Sequence, residues 1–175
     1  MARAGRGFTL IELLLVLIVM GLIAGIGIPR LERMSPKYSL RAAAREIGST
    51  LEHVRSATFF QRKPHGIRYD LERRGYYLIM PPPEDAADIP FEDWPTSNLT
   101  LLPSLVSIKA VVLADNSKFE GYDIVDVMLE PFGVAGTHAV ILQETDGNRV
   151  LSLKFNALTG TVDFYEGEVD FAYGN

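Results

Sequence analysis

Residues 7–12 read Gly-Phe-Thr-Leu-Ile-Glu, and an apolar run follows them from Leu13 to Ile28. Between Phe8 and Ile28 the only ionisable side chain is that of Glu12. At a helical rise of about 1.5 Å per residue, this segment would be about 31 Å long, which matches a hydrocarbon core of about 30 Å. The sequence therefore predicts a transmembrane helix over residues 8–28. Glu12 is a candidate functional residue, because a charge within such a segment is costly.

Seven residues precede Phe8, and they include Arg3 and Arg6, contain no acid and end in Gly7. The amino terminus resembles that of type IV prepilins and type II secretion pseudopilins. Three features carry the resemblance: this basic leader, the Phe-Thr-Leu-Ile-Glu that follows it, and Pro29 after the apolar run. The resemblance implies that a prepilin peptidase removes the leader, residues 1–7, by cutting between Gly7 and Phe8, and then methylates Phe8. It also implies that Glu12 docks onto a neighbouring subunit. Pro29 is expected to kink the helix, because proline removes a helix hydrogen bond.

Charge alone predicts no orientation for the span, since two basic residues precede it and three occur in the next ten residues. The resemblance implies a cytoplasmic amino terminus, a single pass through the bacterial inner membrane and a periplasmic carboxyl-terminal domain. A secretory signal peptide cut near Gly25-Ile26-Gly27 is the competing interpretation, although its hydrophobic region would be unusually long.

An amphipathic continuation of the helix is predicted within residues 29–62. Its stripe is about 80° wide at about 100° per residue, and it consists of Leu40, Ala44, Ile47, Leu51, Val54 and Thr58. Turn residues from Lys63 to Gly66 end the helix. We expect the stripe to pack under a globular domain.

Residues 63–175 are predicted to form a β-rich domain. A hairpin joins Ile67–Leu71 to Tyr76–Met80, and a proline-rich, acidic loop follows from Pro81 to Asn98. Further strands are predicted at Leu99–Leu102, Leu105–Leu113, Ile124–Leu129, Ala139–Gln143, Arg149–Phe155 and Thr161–Tyr165. Their short connections indicate antiparallel pairing. The predicted fold class is α+β, with a long amino-terminal helix packed on one or two antiparallel sheets.

The order of these elements resembles that of the H-type minor pseudopilins of type II secretion. The order is helix, hairpin, proline-rich insertion, the segment Leu129-Glu130-Pro131-Phe132-Gly133, and a last strand pair with Thr159-Gly160. It also resembles the related FimT-like minor pilins of type IV pili, which are the nearest alternative. The first resemblance implies a subunit that joins other pseudopilins in a short periplasmic filament for protein export. A signal-anchored periplasmic enzyme or binding domain is the alternative from another class. The chain has no cysteine, unlike many pilins that close a loop with a disulfide.

The charge distribution argues against nucleic acid as the main partner. Residues 1–75 carry 13 basic and 6 acidic side chains, whereas residues 76–175 carry 4 and 16, and an acidic surface repels phosphate backbones. The basic residues after the span are expected either to meet the lipid headgroups of the inner membrane or to form a solvated helix face. They are Arg30, Arg33, Lys37, Arg41 and Arg45.

The sequence predicts no catalytic residue, metal site or cofactor. His53, His65 and His138 are scattered, and His53 is expected to be solvated. Asp85, Asp88, Glu92 and Asp93 of the Pro81–Asn98 loop are expected to form a hydrated acidic loop; the alternative is a cluster around Ca²⁺, although their spacing does not fit an EF-hand loop. Trp94, in the same loop, is expected either to anchor a partner or to pack back on the sheet. We therefore expect a structural subunit.

Overall fold

The computed structural model describes residues 10–27, 36–86, 89–133, 135–169 and 171. The chain divides into two compact units, Met1–Met34 and Ser35–Asn175. The first unit contains helix α1 (Leu10–Gly27), and the second contains helix α2 (Pro36–Gln61). The described strands of the second unit are β1 (His65–Asp70), β2 (Gly75–Ile79), β3 (Thr100–Leu101), β4 (Val106–Leu113), β5 (Lys118–Glu120), β6 (Ile124–Leu129), β7 (His138–Glu144), β8 (Val150–Asn156) and β9 (Thr161–Glu166).

Helix α1 is apolar along its length and carries Glu12 in its first turn. Within the described ranges, the structure contains no helix with both the length and the apolar character that a membrane crossing requires. The predicted span also includes residues 8, 9 and 28, which lie outside the described residues. It therefore stays a prediction.

Helix α2 begins at Pro36, a residue favoured in the first turn because the N–H that proline lacks would have no helical partner there. Every member of the predicted stripe is buried, from Leu40 to Thr58. Polar residues on the other faces of the helix are exposed, namely Arg41, Arg45, Ser49, Glu52 and Ser56. The amphipathic prediction is thus confirmed. Residues 28–35 are not described, so the kink at Pro29 and the continuity of the two helices stay predictions.

The strands form two antiparallel sheets with the orders β3-β2-β1-β6 and β5-β4-β7-β8-β9. The predicted β1–β2 hairpin is present, and Tyr69 pairs with Tyr76. Strand β6 joins the first sheet by pairing with β1, although about fifty residues separate them in the chain. Helix α2 packs on strands of both sheets. The predicted α+β class with an amino-terminal helix on antiparallel sheets is confirmed, and the described strands form two sheets.

Strand β5 is absent from the sequence prediction, which read no element between Leu113 and Ile124. Its three residues, Lys-Phe-Glu, contain too little alternation to indicate a strand, and its pairing with β4 defines it.

A bulge in β4 gives the second sheet a small apolar cluster apart from the main core. The register with β7 shifts between Ile108 and Ala110, and a bulge of one residue exchanges the faces of the residues after it. Ile108 and Val111 belong to the main core, whereas Ala110 and Val112 join Ala139 and Ile141 in the second cluster.

The segment after β9 packs on this second cluster. Phe171 contacts it, and Lys154 Nζ lies 4.6 Å from the centre of the Phe171 ring. The Glu168 carboxylate pairs with Lys109 and Lys118. The tail after β9 is thereby tied to the sheet.

Candidate functional site

Glu12 is exposed on α1. The large apolar side chains between Leu10 and Met20 are exposed as well, over fractions from 43% to 83%. A continuous apolar surface of this kind marks contact with a membrane or a partner. The other predicted site residues, Gly7, Phe8 and Pro29, lie outside the described residues, so their roles stay predictions.

Helix α2 approaches β9 closely at Gly48. A Cβ atom at this position would lie 3.2 Å from Val162 Cγ1 and 3.3 Å from Phe164 Cζ. Most side chains would need more room, so glycine allows the helix to pack this close to the strand.

Two polar contacts fasten α2 further along its length. The Arg55 Nε–H donates to the carbonyl oxygen of Ala157, 2.6 Å away. The hydroxyl oxygens of Thr50 and Tyr76 are 3.2 Å apart. Because Tyr76 belongs to the first sheet and Ala157 follows β8 of the second, α2 holds the two sheets together.

His138 is fully buried between the two sheets. The sequence alone does not indicate this burial, because His138 is one of three scattered histidines. Its Nδ1 lies 2.6 Å from the carbonyl oxygen of Gly136. A carbonyl oxygen only accepts, so Nδ1 carries the proton. The Tyr69 hydroxyl, 2.8 Å from Nε2, then donates to the imidazole. Burial raises the pKa of the Tyr69 hydroxyl well above its usual value and lowers the pKa of His138 to about 4.

We expect the domain to lose stability in mild acid because of His138. The folded pKa of about 4 lies below the ordinary value of 6.5, so the unfolded chain binds more protons between these values and stability falls as pH drops through that window. Between pH 7 and pH 5 the free energy of unfolding should fall by about 2 kcal/mol, since one pKa unit corresponds to about 1.4 kcal/mol. Urea unfolding of the detergent-solubilised chain at the two pH values measures this loss.

The variant His138→Gln should lack this part of the pH dependence, because an amide does not titrate. The matched control is His53→Gln, which replaces an exposed histidine of α2 and should behave like the parent. An unchanged pH dependence in His138→Gln would contradict the assignment of the acid sensitivity to His138.

The exposure of His53 confirms the sequence prediction that this side chain is solvated.

The acidic loop projects four exposed carboxylates in its described part, Glu84, Asp85, Glu92 and Asp93. Its backbone rejoins the first sheet through Thr96, which pairs with Ile79. The half-buried Trp94 ring lies beside the Phe91 ring of the same loop, with the ring centres 5.5 Å apart and the ring planes tilted by 59°. Trp94 thus has an aromatic neighbour in the loop.

Among the described residues, no group of three or more histidines, aspartates or glutamates has a geometry suited to a metal ion. The buried imidazole of His138 is engaged by Tyr69 and Gly136, as described above. Two candidate functional surfaces are present among the described residues: the exposed apolar face of α1 with Glu12, and the charged surface of the second unit.

The chain is similar to known proteins in its amino-terminal motif and in its fold. Residues 3–28 match the family model of the prokaryotic N-terminal methylation motif. No curated protein matches the chain in sequence. Among solved structures, the minor pseudopilin EpsH of the type 2 secretion system of Vibrio cholerae is similar in fold, with a TM-score of 0.54 and 11% identity over 73% of this chain and 97% of that one. The type IV minor pilin FimU of Pseudomonas aeruginosa matches with a TM-score of 0.44 and 16% identity over 74% and 90%.

The motif at residues 3–28 contains the predicted cleavage site, the predicted methylation site and Glu12. The likeness to EpsH covers 73% of the chain and shows the fold of that part. By its amino-terminal methylation motif and its fold, the chain is type IV pilin-like.

Proposed function

We propose that this protein is a minor pseudopilin of the H type, which joins a periplasmic filament of a type II secretion system and serves protein export. The observation that carries the proposal is the methylation motif at residues 3–28, placed ahead of a domain with the fold of a minor pseudopilin. Its role is assembly with other pseudopilins, without catalytic turnover.

The proposed life cycle begins in the bacterial inner membrane. Residues 8–28 anchor the precursor with a cytoplasmic amino terminus, and residues 63–175 face the periplasm. A prepilin peptidase cuts between Gly7 and Phe8 and methylates Phe8. The mature chain then leaves the lipid for the filament, where α1 is covered by neighbouring subunits.

Glu12 is proposed to meet the amino group of Phe8 on a neighbouring subunit. Two unit charges about 4 Å apart attract by roughly 4 kcal/mol at an effective dielectric constant near 20. Desolvation of the two groups offsets part of that attraction. A remainder of about 1.4 kcal/mol would already favour docked over undocked subunits tenfold.

We expect Glu12→Ala to insert and to lose its leader normally, yet to enter the filament at least about tenfold less efficiently. Insertion should be unimpaired, because removal of a charge eases residence in the membrane. Purification of the tagged chain after crosslinking, with mass spectrometry of its partners, measures assembly, and leader removal is followed in the same samples. Co-purifying pseudopilins support the proposal, whereas co-purifying pilus subunits would assign the chain to a type IV pilus instead.

The matched control is Glu72→Ala, which removes an exposed carboxylate in the turn between β1 and β2, outside α1. This variant should assemble like the parent. If Glu12→Ala also crosslinks to its partners and supports secretion like the parent, Glu12 is not a docking residue in this protein.

A further inference from the structure

A groove runs between the first turns of α2 and the β8–β9 hairpin. It consists of two adjoining cavities of about 480 and 280 Å³ that share Arg41, Leu151 and Glu166 among their lining residues. Arg149 lines the larger cavity, and Arg45 lines the smaller one. The larger volume alone falls within the range of about 300 to 1,000 Å³ that is usual for small-ligand sites. We call this feature the arginine groove.

Positive charge predominates in the arginine groove. Its charged lining residues are three arginines and one glutamate, Glu166. This excess is local, because residues 76–175 carry 4 basic and 16 acidic side chains in total. A concave site whose walls carry mostly one sign of charge attracts ligands of the opposite sign. The ligand of the groove is therefore expected to be an anion.

The guanidinium groups of the arginine groove have hydrogen-bond donors to spare. Arg41 uses one N–H in a hydrogen bond to Glu166, 2.9 Å away, and both side chains are exposed. The Nη1 atom of Arg149 lies 3.9 Å from Oε1 of Glu144, beyond hydrogen-bond distance. No carboxylate of the described residues lies within salt-bridge distance of Arg45. Each guanidinium presents five N–H donors in a planar fork, a geometry that suits the oxygens of a phosphate group.

Two exposed aromatic rings border the smaller cavity. They belong to Phe164 and Tyr165 of β9, whose exposed fractions are 46% and 41%. Tyrosine is enriched at membrane–water interfaces, because its apolar ring and its polar hydroxyl suit the level of the headgroups. Exposed phenylalanine inserts at the boundary between headgroups and acyl chains. Arginines beside such rings thus favour the headgroup of an anionic lipid over a soluble anion.

The chain itself keeps the arginine groove near lipid. In the proposed precursor, 13 residues lead from the end of the membrane anchor at residue 28 to Arg41. Even a fully extended chain of that length spans at most about 45 Å. The groove therefore stays within reach of the headgroups for as long as the chain is anchored.

We propose that the arginine groove binds the phosphodiester headgroup of an anionic phospholipid, such as phosphatidylglycerol, in the periplasmic leaflet of the membrane. The arginines donate to the phosphate oxygens, and the rings of Phe164 and Tyr165 contact the glycerol and the upper part of the acyl chains. Bound lipid holds the domain at the membrane before the chain enters the filament. The inference rests on the proposed function, which supplies the anchor that brings the groove to the membrane.

Native mass spectrometry of the full chain in detergent counts bound lipid molecules directly. The chain is titrated separately with phosphatidylglycerol, which is anionic, and with phosphatidylcholine, which has the same phosphodiester but no net charge. We expect phosphatidylglycerol to bind about tenfold more tightly, because several arginines attract its net negative charge. Inorganic phosphate at the same concentration should not displace the lipid, because it offers nothing for the aromatic rings to contact.

Charge reversal tests whether the arginines of the groove hold the lipid. Arg45→Glu with Arg149→Glu should weaken the binding of phosphatidylglycerol about tenfold or more, because two attractions to the anionic headgroup become repulsions. The matched control is Arg62→Glu with Arg73→Glu, which reverses two exposed arginines outside the groove. The control changes the net charge of the chain by the same amount and should bind phosphatidylglycerol like the parent.

Glu166→Gln should have the opposite effect and strengthen the binding of phosphatidylglycerol. The substitution removes the carboxylate that competes for Arg41, and an exposed ion pair of this kind corresponds to a change in affinity of about two- to fivefold. A damaged fold would not produce such a gain. An unchanged or weaker affinity in this variant would contradict the binding of an anion beside Arg41.

Two further results would overturn the inference while leaving the proposed function intact: equal affinity for the two lipids, or unchanged binding of phosphatidylglycerol after reversal of the groove arginines. Displacement of the lipid by inorganic phosphate would assign the groove to a soluble anion instead. Weaker crosslinking to other pseudopilins with unchanged lipid binding would assign it to a protein contact. Co-purifying pilus subunits or an uncut leader would count against the proposed function and not against this lipid site.

Discussion

Gly7→Leu is expected to abolish removal of the leader, so that only full-length precursor accumulates. The expectation follows from the methylation motif at residues 3–28, in which Gly7 precedes the junction. Glycine has no side chain to keep a catalytic group away from the backbone, and a leucine there should obstruct the close approach of the peptidase. Intact-mass measurement of the purified chain detects the leader directly.

The parent chain should lack residues 1–7 and carry one added methyl group. The matched control is Ala4→Leu, which places the same bulky side chain inside the leader and away from the junction. It should still be cut. A mature parent chain that starts at Met1, or beyond Gly27, would contradict the pilin-like processing and favour an uncut anchor or a secretory signal peptide.

A chain that starts at Pro64 is expected to aggregate, whereas a chain that starts at Ser39 should be a folded, soluble monomer. The shorter chain lacks α2, whose Leu40, Ile47, Leu51 and Val54 are almost completely buried against the sheets. Burial of four such side chains stabilises a fold by about 6 to 12 kcal/mol, which is comparable to the whole stability of a domain. Light scattering and circular dichroism of the two truncated chains measure the difference.

A single substitution separates loss of packing from loss of chain length. In the chain that starts at Ser39, Ile47→Asp places a charge in the core and should have the effect of deleting the helix. The neighbouring exposed position provides the control, since Glu46→Ala should leave the fold intact. Equal behaviour of the two truncated chains would show that α2 does not hold the sheets together.

Local patterns in the sequence determined the elements that depend on neighbouring residues. The stripe of α2 was readable because burial on one face of a helix repeats every three or four residues. The β1–β2 hairpin was readable because its two alternating strands are joined by a short turn. The amino-terminal motif was readable for another reason, since a processing site is recognised as linear sequence and requires no fold.

Only the tertiary structure decided which strands pair across long stretches of chain. Strand β6 joins β1 and not a sequence neighbour, and the three residues of β5 become a strand only because β4 supplies their hydrogen-bond partners. Ala110 and Val112 lie on the face opposite the main core because of the bulge in β4, and no local sequence pattern predicts that bulge. Such pairings follow from the packing of distant residues around one core, which periodicity within a segment does not record.

The same limit applies to the chemistry of single residues. His138 is one of three histidines in the sequence, and only the packing of β7 against β1 makes it a buried partner of Tyr69. Arg41 and Arg149 are separated by more than a hundred residues, and they share one groove because β8 packs against α2. The sequence by itself determined the amino-terminal motif, the stripe of α2 and most strands, because each of these features depends on residues that are close together in the chain. The tertiary structure decided the sheets, the buried histidine and the groove, because each requires residues that only folding brings together.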